Sequence, residues 1–277
     1  MLQRTKYLAI GIAAAAVVAA AAPAHAAPPT YYVALGDSLA RGIGAPGGQG
    51  YVDDVFAFEQ QSHPGLQLVN LSCSGETTGT MINGGTCSYT TGSQLGDAEA
   101  FLTAHAGQIS FITIDIGGND LAFCFSPIPL DLTYVKSALP PAAANLPTIL
   151  SRLRAAAGAV PIVGLKYYDP FLAYWLLGDA GPQAAHDSVK LLKYGNAGLK
   201  KVYRKFRAGI ADGEKTFLVL KFALRGSWAG QTVPVNVAQE CLWTLMCTQN
   251  DIHANGPGHA ALAAAFEPVI DKLLMRQ

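Results

Sequence analysis

An apolar run, Tyr31-Tyr32-Val33-Ala34-Leu35, stops abruptly at Gly36-Asp37-Ser38-Leu39. A hydroxyl at the end of a buried strand stands where open α/β sheets bind their ligands, beyond the carboxyl ends of the strands. Gly-Asp-Ser is also ordinary turn chemistry, so Ser38 needs partners before it reads as a nucleophile. Activating a serine takes a base for its proton and N–H donors for the negative oxygen formed on an attacked carbonyl. His63 is explained by a His-Pro-Gly turn, and His105 and His186 fall in helical segments, where surface positions are the default. His259 reads as a surface residue of a first helical turn. His253 lies in a loop before the last helix, with Asp251 two residues upstream. Loops at strand ends carry function more often than helix interiors, so His253 is the candidate base. For the donors, Gly117-Gly118-Asn119-Asp120 ends the strongest strand signal, and an Asn amide offers an N–H without adding charge. Cys73-Ser74-Gly75-Glu76-Thr77 follows another strand, and Gly75 lets the backbone N–H come close to a bound group. Each of these segments has a plain turn or loop explanation when taken alone.

The elements that must position these residues follow from hydrophobic period. Strands are expected near 31–36, 66–71, 109–116, 160–165 and 216–222, as apolar or alternating runs. Helices are expected over 52–61, 97–105, 142–156 and 184–211, and from Gly258 to Met275. Ser72 to Gly96, rich in Gly, Thr and Ser, reads as a long loop with at most one helical turn, and prolines break up the stretch before 142. Strands alternating with helices give an α/β fold with a five-stranded parallel sheet. The 184–211 helix carries Val189, Leu192, Leu199, Val202, Phe206 and Ile210 on one face. Its lysines and arginines read as a solvated face, with a patch for acidic polymer or phospholipid as the other reading.

Residues 1–26 have the form of an export leader. Arg4 and Lys6 precede an apolar run from Leu8 to Ala22 and an Ala24-His25-Ala26 cleavage site. The run is short and weak for a membrane span, and no later segment is a better one, so stable membrane insertion is not expected. Residues 27–277 then form one exported domain of about 250 residues, ample for a full core. The leader takes two of the 19 basic residues and none of the 19 acidic ones. The remaining formal charge of about −2 makes no electrostatic case for nucleic acid. Export favours disulfides, and two local pairs are expected, Cys73 with Cys87 and Cys241 with Cys247, leaving Cys124 over. No C-x-x-C, H-E-x-x-H or C₂H₂ spacing occurs, nor a G-x-x-x-x-G-K-[ST] loop, so neither a metal nor a cofactor is expected. Ala40 stands where a G-x-S-x-G elbow needs its second glycine, which argues against the ordinary α/β-hydrolase fold.

Taken in order, Gly-Asp-Ser-Leu, Ser-Gly, Gly-Gly-Asn-Asp and Asp-Ile-His resemble the motif set of the SGNH family of GDSL-type esterases and lipases, in its exported actinobacterial branch. The resemblance covers about 31–270. It implies a flavodoxin-like three-layer α/β/α sandwich and a serine ester hydrolase. It makes Ser38 the nucleophile and His253 the base. The oxyanion hole falls to the N–H groups of Ser38 and Gly75 and the Asn119 side chain. One departure stands out. The family ending is Asp-x-x-His, whereas Asn250 occupies the position three before His253. Either Asp251 orients the imidazole from a shifted loop, or a backbone carbonyl does so and the site is a dyad.

The expected substrate is a small-molecule or lipid ester. Tyr168, Phe171 and Trp175, in the aromatic stretch after the fourth strand, are read as lining an acyl pocket, with buried core as the equal alternative. A polysaccharide O-acetyl esterase, an acyltransferase on the same site and a catalytically silent exported binding protein are the alternatives. A monomer is the default.

Overall fold

Strand β1 (Thr30–Gly36) alternates its buried side chains between the two faces of a sheet. Tyr32 and Ala34 point into one apolar cluster, Val33 and Leu35 into another. Burial on both sides is why the run is continuously apolar. The computed structural model describes residues 30–122 and 132–276, so the expected leader and Cys124 lie outside the described residues.

After β1 come α1 (Tyr51–Ser62), β2 (Leu66–Asn70), α2 (Thr78–Asn83), α3 (Gln94–Ala104), β3 (Ile109–Asp115) and the short α4 (Gly118–Ala122). Then follow α5 (Leu132–Ala157), β4 (Ile162–Lys166), two 3-10 turns (Pro170–Leu176 and Gly178–Ala180), α6 (Gly181–Lys205) and β5 (Gly209–Asp212). The chain continues through α7 (Gly213–Thr216), a hairpin of β6 (Arg225–Trp228) and β7 (Gln231–Pro234), α8 (Val235–Trp243), α9 (Met246–Gln249) and α10 (Gly256–Leu274). The five main strands are parallel in the order β2-β1-β3-β4-β5. Strand order reverses at β1, so its carboxyl end and that of β3 open on the crevice where such sheets bind ligands. One face packs on α1 and α10 through Tyr51, Val52, Val55, Leu262 and Phe266. The other packs on α3, α5 and the end of α6 through Leu95, Leu102, Ile149, Leu153 and Tyr203. This is the expected three-layer α/β/α sandwich with a five-stranded parallel sheet.

The fifth strand is not where the sequence reading puts it. It is Gly209–Asp212, and in 216–222 Thr216 ends α7 and turns follow over 217–220. Helix α6 stops at Lys205, and Arg207 turns the chain with φ 55°. Ile210 of β5 happens to continue the helical spacing of α6, so the period runs straight through a four-residue strand. The apolar run from 217 cannot be a strand because Leu218 has φ 57°. Phe217 and Val219 are buried nonetheless, as core under the turns. Helix α5 also begins well before 142 and contains Pro140, Pro141 and Pro147. A proline removes one N–H and crowds the preceding turn, but here the packing of α5 against α2 and α3 outweighs that local preference. Both expected disulfides are formed, Cys73–Cys87 and Cys241–Cys247.

Candidate active site

Ser38 is the second residue after β1 and is almost fully buried. Its Oγ lies 2.8 Å from His253 Nε2. His253 Nδ1 lies 2.5 Å from Asp251 Oδ1, and the same oxygen accepts the His253 backbone N–H at 3.0 Å. With the serine hydroxyl donating to Nε2, the proton on the ring sits at Nδ1 and faces the carboxylate. Serine, imidazole and acid thus form one hydrogen-bonded line.

The geometry of 250–253 explains how an acid two residues upstream reaches the ring. Asn250 caps α9 in the left-handed conformation (φ 54°, ψ 39°), which Asn tolerates better than most residues. That turn folds the Asp251 side chain back over His253. The loop is held on all sides. Leu245 N–H donates to His253 O at 2.9 Å, Thr244 bridges Ala254, and Tyr168 O–H donates to Ile252 O at 2.9 Å. The Cys241–Cys247 disulfide ties α8 to α9 just before it. His259, expected at the surface, is buried instead. Its Nδ1 accepts the Tyr51 N–H at 3.1 Å and its Nε2–H donates to Ile43 O at 2.9 Å. It joins α10 to the segment after Ser38, and its burial holds the imidazole below its ordinary pKa. A histidine in a first helical turn reads as a surface residue until both its neighbours are known.

The donor side is built from β2 and β3. Gly75 has φ 82°, a conformation that favours glycine. Asn119, in α4 at the end of β3, donates an Nδ2–H to Glu76 O at 2.9 Å. This bond fixes the amide plane and leaves its second N–H directed elsewhere. The backbone N–H groups of Ser38 and Gly75 have no acceptor among the described residues. Asp120 pins the same corner, accepting from the Thr78 N–H (2.9 Å) and hydroxyl (2.6 Å).

Beneath Ser38 lies a polar layer that the motifs do not reveal. Gln94 grips Gly36 from behind: its Oε1 accepts the Gly36 N–H at 2.7 Å and its Nε2 donates to Gly36 O at 3.0 Å. The same Nε2 donates to Glu76 Oε2 at 3.1 Å. Asp37 accepts from Leu39 N–H (3.0 Å) and from the Tyr167 hydroxyl (2.8 Å). Burial pushes its carboxyl up to about 6, against the pull of those two donors. Asp115 accepts the Ala40 N–H at 3.0 Å. Burial, then the charge of Asp37, pushes Asp115 well above the usual carboxylate range. A Cβ on Gly36 would stand 1.6 Å from Asp115 Oδ1, so the glycine of Gly-Asp-Ser makes room for that acid. A lone acid closing the apolar strand β3 was a signal for Asp115. Nothing in the sequence marks Gln94.

Ser38, Asn119 and His253 line a cavity of about 720 Å³. Its walls are Leu121, Leu139, Leu146 and Pro147 from one side and Leu192, Leu199 and Val202 of α6 from the other. Of the three aromatic residues expected there, Tyr168 and Phe171 line it. Trp175 does not: it packs on His186 and Phe222, because the 3-10 turn from Pro170 sends it away from the cavity. Gly75 does not line the cavity either. It adjoins Asn119 through the Glu76 carbonyl. The size suits a small organic ligand, and the lining is predominantly apolar.

Comparison with known proteins places the chain in a class. The sequence matches the model of the GDSL-like lipase/acylhydrolase family over residues 34–261, and the chain belongs to that family. It is accordingly a serine ester hydrolase acting on small esters. Its fold is similar to that of an extracellular lipase from Streptomyces rimosus (20% identity over 88% of this chain and 99% of that one, TM-score 0.60). It is similar also to the lipase Lip_vut3 from a goat rumen metagenome (18% identity, 87% and 97% covered, TM-score 0.57). A third is phospholipase A1 from Streptomyces albidoflavus NA297 (17% identity, 88% and 99% covered, TM-score 0.51). No curated protein sequence matches the chain significantly.

Proposed function

We propose that the protein is an exported carboxylic-ester hydrolase that works through an acyl-enzyme on Ser38, with Asp251 completing a triad. The observation that carries this is the Ser38–His253–Asp251 line, with Ser38 and His253 lining an apolar cavity. His253 Nε2 takes the hydroxyl proton as Ser38 Oγ attacks the ester carbonyl carbon. The N–H groups of Ser38, Gly75 and Asn119 receive the oxyanion, while Asp251 holds the Nδ1–H and stabilises the imidazolium. Collapse breaks the bond to the alcohol, which leaves with the proton from His253. Water, deprotonated by the same imidazole, then releases the acid and regenerates Ser38.

The cavity favours acyl groups longer than acetyl, since its leucine walls gain only from buried hydrocarbon. Two disulfides and the leader-like residues 1–26 support export, with residues 27–277 as the single hydrolase domain. The test is a panel of p-nitrophenyl esters from acetate to octanoate, run beside Ser38→Ala. Octanoate is expected to exceed acetate in kcat/KM, with Ser38→Ala inactive on both. Preference for acetate would overturn the acyl-cavity reading, and an active Ser38→Ala would overturn the nucleophile.

A further inference from the structure

Helix α6 carries six cations, Lys190, Lys193, Lys200, Lys201, Arg204 and Lys205, against one acid, Asp187. The chain as a whole has 19 basic and 19 acidic residues, so this helix is a local excess. At 3.6 residues per turn the six fall within an arc of about 140°. Lys190 is paired with Asp187 at 2.7 Å. The other five have no acidic partner among the described residues. The spacings Lys200–Arg204 and Lys201–Lys205 place like charges four apart, which costs helix stability. A solvated face would not need that arrangement, and among the described residues no acid neutralises it.

The arc does not stop at the helix surface. Its edge residues Lys201 and Lys205, with the exposed Tyr194, line the apolar cavity that opens on Ser38. A cationic face therefore adjoins an apolar cavity. We infer that the exposed face of α6 is a docking surface for an anionic lipid bilayer, which seats the cavity mouth against the layer that presents acyl esters. Charge complementarity selects the occupant, because a row of cations with one acid among them gains most from a continuous anionic surface, and the adjoining cavity is predominantly apolar. Among the described residues no helix is long and apolar enough to cross a membrane. Only the catalytic consequence of docking rests on the ester-hydrolase reading. The binding itself does not.

The experiment uses the full chain with Ser38→Ala, so that the vesicles stay intact, and measures co-sedimentation with two vesicle types. One is pure phosphatidylcholine, the other phosphatidylcholine with about a third phosphatidylglycerol. The expected result is binding to the anionic vesicles at low salt, little binding to the neutral ones, and loss of binding in 0.5 M NaCl, as screening requires. Lys193, Lys200 and Arg204 do not line the cavity, so their triple replacement by Glu is expected to weaken vesicle binding by at least about 100-fold. The same triple change in the Ser38 enzyme is expected to leave hydrolysis of soluble p-nitrophenyl acetate within about twofold of the parent, which also reports that the variant folds. Equal binding to both vesicle types, no binding to either, or undiminished binding by the triple variant would each overturn the docking surface. Inactivity of the parent on the soluble ester would instead overturn the hydrolase reading and leave the vesicle result standing.

Discussion

Asp251→Ala separates a triad from a dyad. Asp251 Oδ1 accepts both the His253 backbone N–H and, at 2.5 Å, the bond to Nδ1. A hydrogen bond to a charged group is worth about 1.5–3 kcal/mol. The Asp251 side chain is 38% exposed, so water screens it and the lower part of that range applies. We expect kcat/KM to fall about 10- to 30-fold, which corresponds to about 1.5–2 kcal/mol. KM should stay nearly constant, because the carboxylate touches the imidazole and not the ester. Removing the base itself, in His253→Ala, should cost at least about 10³-fold. Asp251→Asn keeps an acceptor without the charge and should fall between Asp251→Ala and the parent. The assay is initial-rate hydrolysis of p-nitrophenyl butyrate by all three variants, with urea unfolding to confirm that each is folded. Activity of Asp251→Ala within twofold of the parent would mean that a backbone group suffices to orient the ring. A loss equal to that of His253→Ala would mean that the carboxylate is indispensable, and the magnitude worked from its exposure would be wrong.

Further expectations concern the layer behind the site and the cavity. Gln94→Leu leaves the Gly36 N–H and the buried Glu76 short of partners, so urea unfolding should show a loss of about 2–4 kcal/mol, together with a lower kcat. His259 is held below its ordinary pKa chiefly by burial. The unfolded chain therefore binds its proton first, and its contribution to stability is full above about pH 6.5 and lost as pH falls towards the folded value. His259→Gln should flatten the fall in urea midpoint between pH 7 and 5 relative to the parent, and an unchanged slope would refute that assignment. Leu199→Trp fills the cavity beside Gly117 and should lower the octanoate-to-acetate ratio of kcat/KM by about 10-fold, a change of the size a hydrophobic pocket can discriminate.

Much of the candidate site could be read from the sequence because each candidate residue sits at a punctuation point. Ser38 and Asn119 follow the ends of apolar strands, and His253 precedes a helix N-terminus, positions that the period of the chain exposes. The short reach of Asp251 could not be settled there, since it depends on the left-handed turn at Asn250, a property of backbone angles. The polar layer beneath Ser38 escaped for a different reason. Gln94 and Tyr167 act across 58 and 130 residues of sequence, and nothing local marks such pairs. Strand β5 was lost because Ile210 keeps step with the helix before it. Trp175 was misplaced because a 3-10 turn rotates successive side chains by a different angle from a strand or an α-helix. The cavity walls come from α5 and α6, whose apolar residues look like ordinary core until the space between them is seen.

The most direct test of the account is covalent labelling with a fluorophosphonate followed by peptide mass analysis. The account predicts one phosphonylated site, at Ser38, with labelling absent in Ser38→Ala and slowed at least about 100-fold in His253→Ala, the loss expected when a general base is removed. Label on another serine, or undiminished labelling of Ser38 without His253, would contradict it.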